Sequence, residues 1–187
     1  MAQKRKDWNG LISGFKASDL VFLDESGCNT DMTRRYADSL GESRAVDSAP
    51  LSKPKNTTIL SSIQLDGTLR YTTFSGGTTV ERFKRYLETD LLPHLNGNSV
   101  LIMDNMKLHH AKAVRNLLDS SGVRYIYLPP YSPDLNPIEK LWSKVKSFLR
   151  KFKARTLDAL PNAIQNAFHS VTISDCSGWF RFCGYAL

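Results

Sequence analysis

Two short apolar runs, Leu20-Val21-Phe22-Leu23 and Val100-Leu101-Ile102-Met103, are each followed at once by an aspartate, Asp24 and Asp104. Runs this brief and this uniformly apolar suit strands covered on both faces, because a core helix needs a longer periodic stretch. The chain is thereby constrained to a sheet at its centre. An acid that closes such a strand has its carboxylate at the sheet's rim, within reach of water and of a hydrated cation. A third acid, Glu139, opens a helical pattern directly after a segment that contains Pro129, Pro130, Pro133 and Pro137. Three carboxylates that converge have the all-oxygen composition of a hard-cation site. Asp24, Asp104 and Glu139 are the candidate catalytic and metal-binding residues.

The rest of the chain can be ordered around those runs. Residues 1–19 are a basic lead-in with one short apolar patch, and residues 20–187 form one domain. Leu20 to Asp24 is expected as a strand, followed by a polar excursion from Glu25 to Lys55. Thr57 to Leu65 and Thr68 to Phe74 flank Asp66-Gly67, a strong hairpin signal. Val80, Phe83, Leu87 and Leu91 fall on one face of a helix over Thr79 to Leu92, which Pro93 ends. A strand over Ser99 to Asp104 and a helix over His110 to Ser121 follow. Next come a strand over Val123 to Leu128 and a helix over Ile138 to Phe152, with its stripe of Ile138, Leu141, Val145, Phe148 and Phe152. Helices over Thr156 to Val171 and Ser174 to Phe182 complete the chain. A hairpin followed by alternating strands and helices implies an α/β fold, a mixed sheet with helices on both faces, since parallel strands need crossover connections.

Composition excludes several classes. At 187 residues the chain is long enough for one substantial core. No apolar stretch approaches the roughly 18 residues of a membrane span, and no apolar signal core follows the charged start. Cys28, Cys176 and Cys183 make an odd count without a Cys-x-x-Cys pair, which argues against a disulfide framework and against a zinc site. A reducing cytoplasm is the simplest setting. The net charge is +7, and the segment from Asn136 to Arg155 alone carries seven basic residues against Glu139. Positive charge concentrated beside carboxylates points to a polyanionic partner.

Glu139 has two explanations at this level. With Asn136 as N-cap and Pro137 at the first helical position, Glu139 falls at N3 of a capping box, reaching back to the Asn136 amide. Alternatively it heads a stripe that continues through Lys146, Arg150 and Lys153, each within about 40° of it at helical period. That stripe, with Lys140, is the candidate DNA-binding face. Asn105 and His109, just past Asp104, are candidates for supporting a metal, although a histidine at a helix start is equally an exposed residue. Glu25 and Asp134 are spare carboxylates near the others. Tyr125, Tyr127, Trp142 and Phe148 are expected as core or sheet-face aromatics.

Three strings together carry a family resemblance: Val21-Phe22-Leu23-Asp24-Glu25-Ser26-Gly27, then Leu101-Ile102-Met103-Asp104-Asn105 with His109, then Leu128-Pro129-Pro130-Tyr131-Ser132-Pro133-Asp134-Leu135-Asn136-Pro137-Ile138-Glu139. They closely resemble the DDE catalytic domain of Tc/mariner-like insertion-sequence transposases, from about Leu20 to the end. The 34 residues between Asp104 and Glu139 match that superfamily's spacing. The resemblance implies a ribonuclease-H-like fold with a five-stranded mixed sheet. It implies two Mg²⁺ ions, with Mn²⁺ as a substitute, on Asp24, Asp104 and Glu139. It further implies cutting of DNA at element ends, transfer of the freed 3′-hydroxyl to target DNA, and a homo-oligomer on DNA.

Such transposases also carry an N-terminal helix-turn-helix region, and only 23 residues precede Asp24. The expectation is a truncated copy, a frameshift half or a subunit that needs a helix-turn-helix partner, binding DNA mainly through phosphates. Two other functions suit the same residues. One is a catalytically silent DNA-binding remnant that modulates an intact transposase. The other is a ribonuclease-H-like nuclease on branched or hybrid substrates.

Overall fold

β1 begins where the first apolar run begins, at Leu20, but continues past Asp24 to Asn29. Its two neighbours explain the difference. The parallel partner β4 (Val100–Met103) pairs with it only from Leu20↔Val100 to Leu23↔Met103. The antiparallel partner β2 (Asn56–Gln64) runs beside it from Val21↔Gln64 to Asn29↔Asn56. Asp24 is therefore inside the strand but at the point where the parallel ladder stops. The computed structural model describes residues 2–33, 39, 41, 44, 46 and 54–185. The polar excursion expected from Glu25 thus begins only after Asn29, and most of it lies outside the described residues.

β2 turns into β3 (Leu69–Ser75) at Asp66-Gly67, as the sequence predicts. The Thr68 amide donates to Asp66 Oδ1 at 2.8 Å, and Gly67 sits at φ 88°, a left-handed conformation that glycine adopts without a Cβ clash. β5 (Arg124–Tyr127) adds parallel to β4, and the five strands lie in the order β3-β2-β1-β4-β5.

Alternation along β1 sends its side chains to two cores. Leu20 and Phe22 pack with Ile138, Leu141, Val145 and Leu149 of α4 (Ile138–Phe152) and with residues of α5 (Ala159–His169) and α6 (Ile173–Phe182). Val21 and Leu23 pack on the other face with Phe83 and Tyr86 of α2 (Val80–Tyr86) and with Val114 and Leu118 of α3 (Lys112–Ser121). Helices therefore cover both faces. The lead-in is α1 (Ala2–Ile12), anchored by the buried Trp8.

Two local departures from the expected elements have physical causes. After α2 the chain widens into a π-helical turn, Leu87–Leu91, and then tightens to a 3₁₀ turn at Leu92–His94 around Pro93. α3 starts at Lys112, because residues 106–111 close short backbone turns, among them His109 N to Met106 O and Ala111 N to Leu108 O. Gly122, at φ 71°, ends that helix in the left-handed region. α4 keeps the bounds its apolar stripe predicts. A capping box of Thr172 and Asp175 starts α6, and Lys144 Nζ reaches Asp175 at 2.5 Å to tie α4 to α6.

Candidate functional site

The C-terminal end of the parallel ladder opens into a cavity of about 520 Å³ whose walls include Asp24, Asp104 and Glu139. Asp104 immediately follows β4, so it shares the rim with Asp24 on the neighbouring strand. Glu139 is in the first turn of α4, which the proline-rich segment carries across the sheet. Residues far apart in the chain thus meet at one opening.

Asp24 is only 7% exposed, and the Trp142 indole N–H donates to its Oδ2 at 3.0 Å. Burial pushes its carboxyl up to about 7; hydrogen bonds from the Glu25 backbone and Trp142 oppose this, and the negative charges of Asp104 and Glu139 add to it. Trp142, expected to be a core aromatic, is a functional-site residue that sequence reasoning missed. The available signal was its position one helical turn after Glu139, on the same side of α4.

Asp104 is more open and is held differently. His109 Nδ1 lies 2.8 Å from its Oδ1, and the Met106 amide donates to the same oxygen at 3.0 Å. Burial raises the Asp104 carboxyl, but these partners outweigh burial and hold it below the usual carboxylate range. His109 is fully buried, not the exposed residue that a helix start allows. Its ring stacks on Phe83 with centroids 4.5 Å apart, and its Nε2 faces Glu25 Oε2 at 3.7 Å. Burial lowers the His109 pKa; contacts with Asp104 and Glu25 overcome that and lift it to about 9. Asp24 and Glu25 point to opposite faces of the sheet, so Glu25 meets Asp104 only through His109. Asn105 ties the ends of β4 and β5 together, its side-chain amide donating to the Leu128 carbonyl, while its Oδ1 lies 3.1 Å from His110 Nε2.

The capping-box explanation of Glu139 does not hold. α4 starts at Ile138 without a side-chain cap, and the buried Asn136 Oδ1 has no hydrogen-bond partner. Only the backbone bond from Glu139 N to Asn136 O, 3.1 Å, links the two residues. The Glu139 carboxylate is left to the cavity.

The basic residues of α4 divide into different environments. Lys146 and Arg150 are half-buried and helical. Lys146 stands near enough to Cys28 to oppose the burial that pushes that thiol up to about 11. Lys140 Nζ sits 3.8 Å above the Phe182 ring. Lys153 does not continue the helix; it follows it at φ 53° in the left-handed region. Asp134 lies on the short 3₁₀ turn Pro133–Leu135 before α4.

Among the described residues, no three His, Cys, Asp or Glu side chains are drawn tightly enough to form a ready metal cluster. The donor set nonetheless fits a hard cation: it is all oxygen, it borders a water-accessible cavity, and its negative charges mutually hinder ionisation at Asp24.

The strand order, the two helical layers and the acidic rim define a ribonuclease-H-like domain. The family described as DDE superfamily endonuclease matches residues 19–161. The chain belongs to that family. It is 30% identical over 97 residues to the Tc1 transposase of Caenorhabditis elegans, a match covering 50% of this chain and 36% of that protein. A pre-cleavage Mos1 transpososome superposes with a TM-score of 0.81 at 16% identity, over 97% of this chain and 58% of the Mos1 chain. A Mos1 mariner paired-end complex with Mn gives 0.80 at 18% identity, over 95% and 57%. The chain thus spans little more than half of the Mos1 protein and a smaller share of Tc1. The similarity to Mos1 is one of fold.

Proposed function

We propose that this chain cuts DNA phosphodiester bonds at the ends of a mobile element and joins the freed 3′-hydroxyl to target DNA, with Asp24, Asp104 and Glu139 holding Mg²⁺ or Mn²⁺. The observation that carries this is the convergence of three carboxylates from separate elements on one cavity, where burial and acidic neighbours push the Asp24 carboxyl up to about 7. When bound, divalent ions supply neutralisation of phosphate charge and activation of the attacking oxygen.

The protein's own residues prepare that site. Trp142 fixes the orientation of Asp24 with a buried hydrogen bond. His109, stacked on Phe83 with Glu25 3.7 Å from its Nε2, fixes one oxygen of Asp104 and leaves the other for the cavity. Asn105 holds the β4–β5 rim on which Asp104 stands. The Glu139 carboxylate, released from capping, faces the same space. Lys140, Lys146, Arg150 and Lys153 carry the phosphate backbone past the cavity, so binding is governed by salt and only weakly by sequence. Selection of element ends falls to a helix-turn-helix module, within a homo-oligomer assembled on DNA.

The test is cleavage and joining of end-containing DNA with Mg²⁺ or Mn²⁺, comparing the wild-type chain with Asp104→Asn. Product from the wild type and a loss of at least a hundredfold in the variant are expected. Equal product from both removes Asp104 from the chemistry. Cleavage of branched or hybrid substrates without joining identifies a nuclease instead.

A further inference from the structure

The cavity has two unlike walls. One is the carboxylate wall just described; the other is apolar, made by Met106, Pro129, Pro130, Tyr131 and Pro133. Tyr131 stands out on that wall. It is 86% exposed, so the fold does not use its ring. Its backbone is at φ 55°; among the described residues only Lys153 is the other non-glycine residue with positive φ. A bulky side chain rarely accepts that conformation, and it persists only where the surroundings enforce it.

The surroundings here do enforce it. Pro130 and Pro133 restrict the chain on either side, and Ser132 is buried, with its Oγ 3.4 Å from the Pro130 carbonyl. Downstream, the Leu135 amide bonds to Ser132 O and the Asn136 amide to Pro133 O, while the Tyr185 hydroxyl donates to Leu135 O at 2.6 Å. The segment is anchored on one side of Tyr131 and stiff on the other, so the ring is presented to solvent at the cavity mouth as a fixed platform.

A nucleotide has the same two-sided chemistry: an anionic phosphate and a flat apolar base. Inside a duplex both faces of a base are covered by its neighbours, and even a terminal base is held by its pairing partner, so an unpaired base is the one free to turn onto a ring. We propose that Tyr131, on the wall it shares with Met106, is a stacking site for one unpaired nucleobase next to the phosphate that occupies the carboxylate wall. The inference rests on the function proposed above, and it adds a substrate contact that favours opened over fully paired DNA.

The experiment uses the whole chain with Ca²⁺ and a short duplex ending in one unpaired 2-aminopurine, against the same duplex with that base paired and against an abasic version. The wild type is expected to bind the unpaired end about tenfold more tightly than the other two and to quench its fluorescence. Tyr131→Phe keeps both effects. Tyr131→Ala and Tyr131→Gly, the latter free of backbone strain, lose both while retaining affinity for paired DNA and cooperative thermal unfolding. Absence of a preference in the wild type, or a preference that survives in the Ala and Gly variants, overturns the proposal. Mn²⁺ titration of the wild type separates the two layers: no Mn²⁺ binding defeats the metal-site assignment, whereas intact Mn²⁺ binding without base preference defeats only the stacking site.

Discussion

Replacing Asp24 by Asn tests the acidic site without any DNA. In the metal-free chain the Asp24 carboxyl is raised to about 7 from an ordinary 3.8, first by burial and then by Asp104 and Glu139. A folded-state value above the unfolded one means that the native chain holds this proton more strongly. Its stabilising effect is therefore complete below about pH 4 and disappears as pH climbs through about 7. The difference corresponds to a cost of up to about 4 kcal/mol at pH 8, where the buried side chain must ionise. Asn has nearly the same shape and stays neutral, and its amide oxygen can still accept from Trp142. In metal-free buffer Asp24→Asn should accordingly melt about 10 °C above wild type at pH 8, at roughly 2–4 °C per kcal/mol for a chain of this size. The gap should close toward pH 4. Millimolar Mg²⁺ should raise the wild-type melting temperature at pH 8 and leave the variant unmoved. Calorimetric melts across pH, with and without Mg²⁺, measure all three. A variant no more stable than wild type at pH 8, or a gap independent of pH, refutes the account of Asp24 as an ionisable group strained by burial.

Trp142→Phe keeps the ring packing but removes the donor to Asp24; it should cost about 1–3 kcal/mol in urea unfolding at pH 8 and weaken Mn²⁺ binding about tenfold by calorimetric titration. Replacing Lys146, Arg150 and Lys153 with Ala should lower DNA affinity and flatten its dependence on salt by about three phosphate contacts, read from binding isotherms at several salt concentrations. Asp175→Ala should lower stability by about 1 kcal/mol at pH 7 through loss of the α6 capping box and of the Lys144 contact. Lys144 and the Thr172 donors outweigh burial to hold the Asp175 carboxyl low, so its contribution is present above the ordinary 3.8 and fades as pH falls through the depressed folded value. Melts of Asp175→Ala and wild type should therefore converge in acid.

The sheet was legible in the sequence because its central strands advertise themselves: β4 has no polar residue, and the hairpin carries Asp66-Gly67. α4 was legible to the residue because its apolar stripe is uninterrupted. The second half of β1 was not, because Glu25, Ser26 and Gly27 carry no strand signal of their own. They are extended because β2 pairs along the full length and buries Ser26 and Cys28. The same holds at the cavity. The acids could be read from strand ends and spacing, but the partners that orient them depend on tertiary geometry. Nothing local to His109 shows that Phe83 will cover it, and nothing local to Trp142 shows that its N–H will find a carboxylate more than a hundred positions upstream.

That separation along the chain has a consequence for synthesis. Asp24 and Asp104 leave the ribosome before Glu139, and α4 packs against residues of β1 and β4. A growing polypeptide therefore lacks one wall of the cavity until α4 is in place. Its acidic pocket is completed only with the helix that follows the last strand, so the three carboxylates share one opening only late in the chain's emergence.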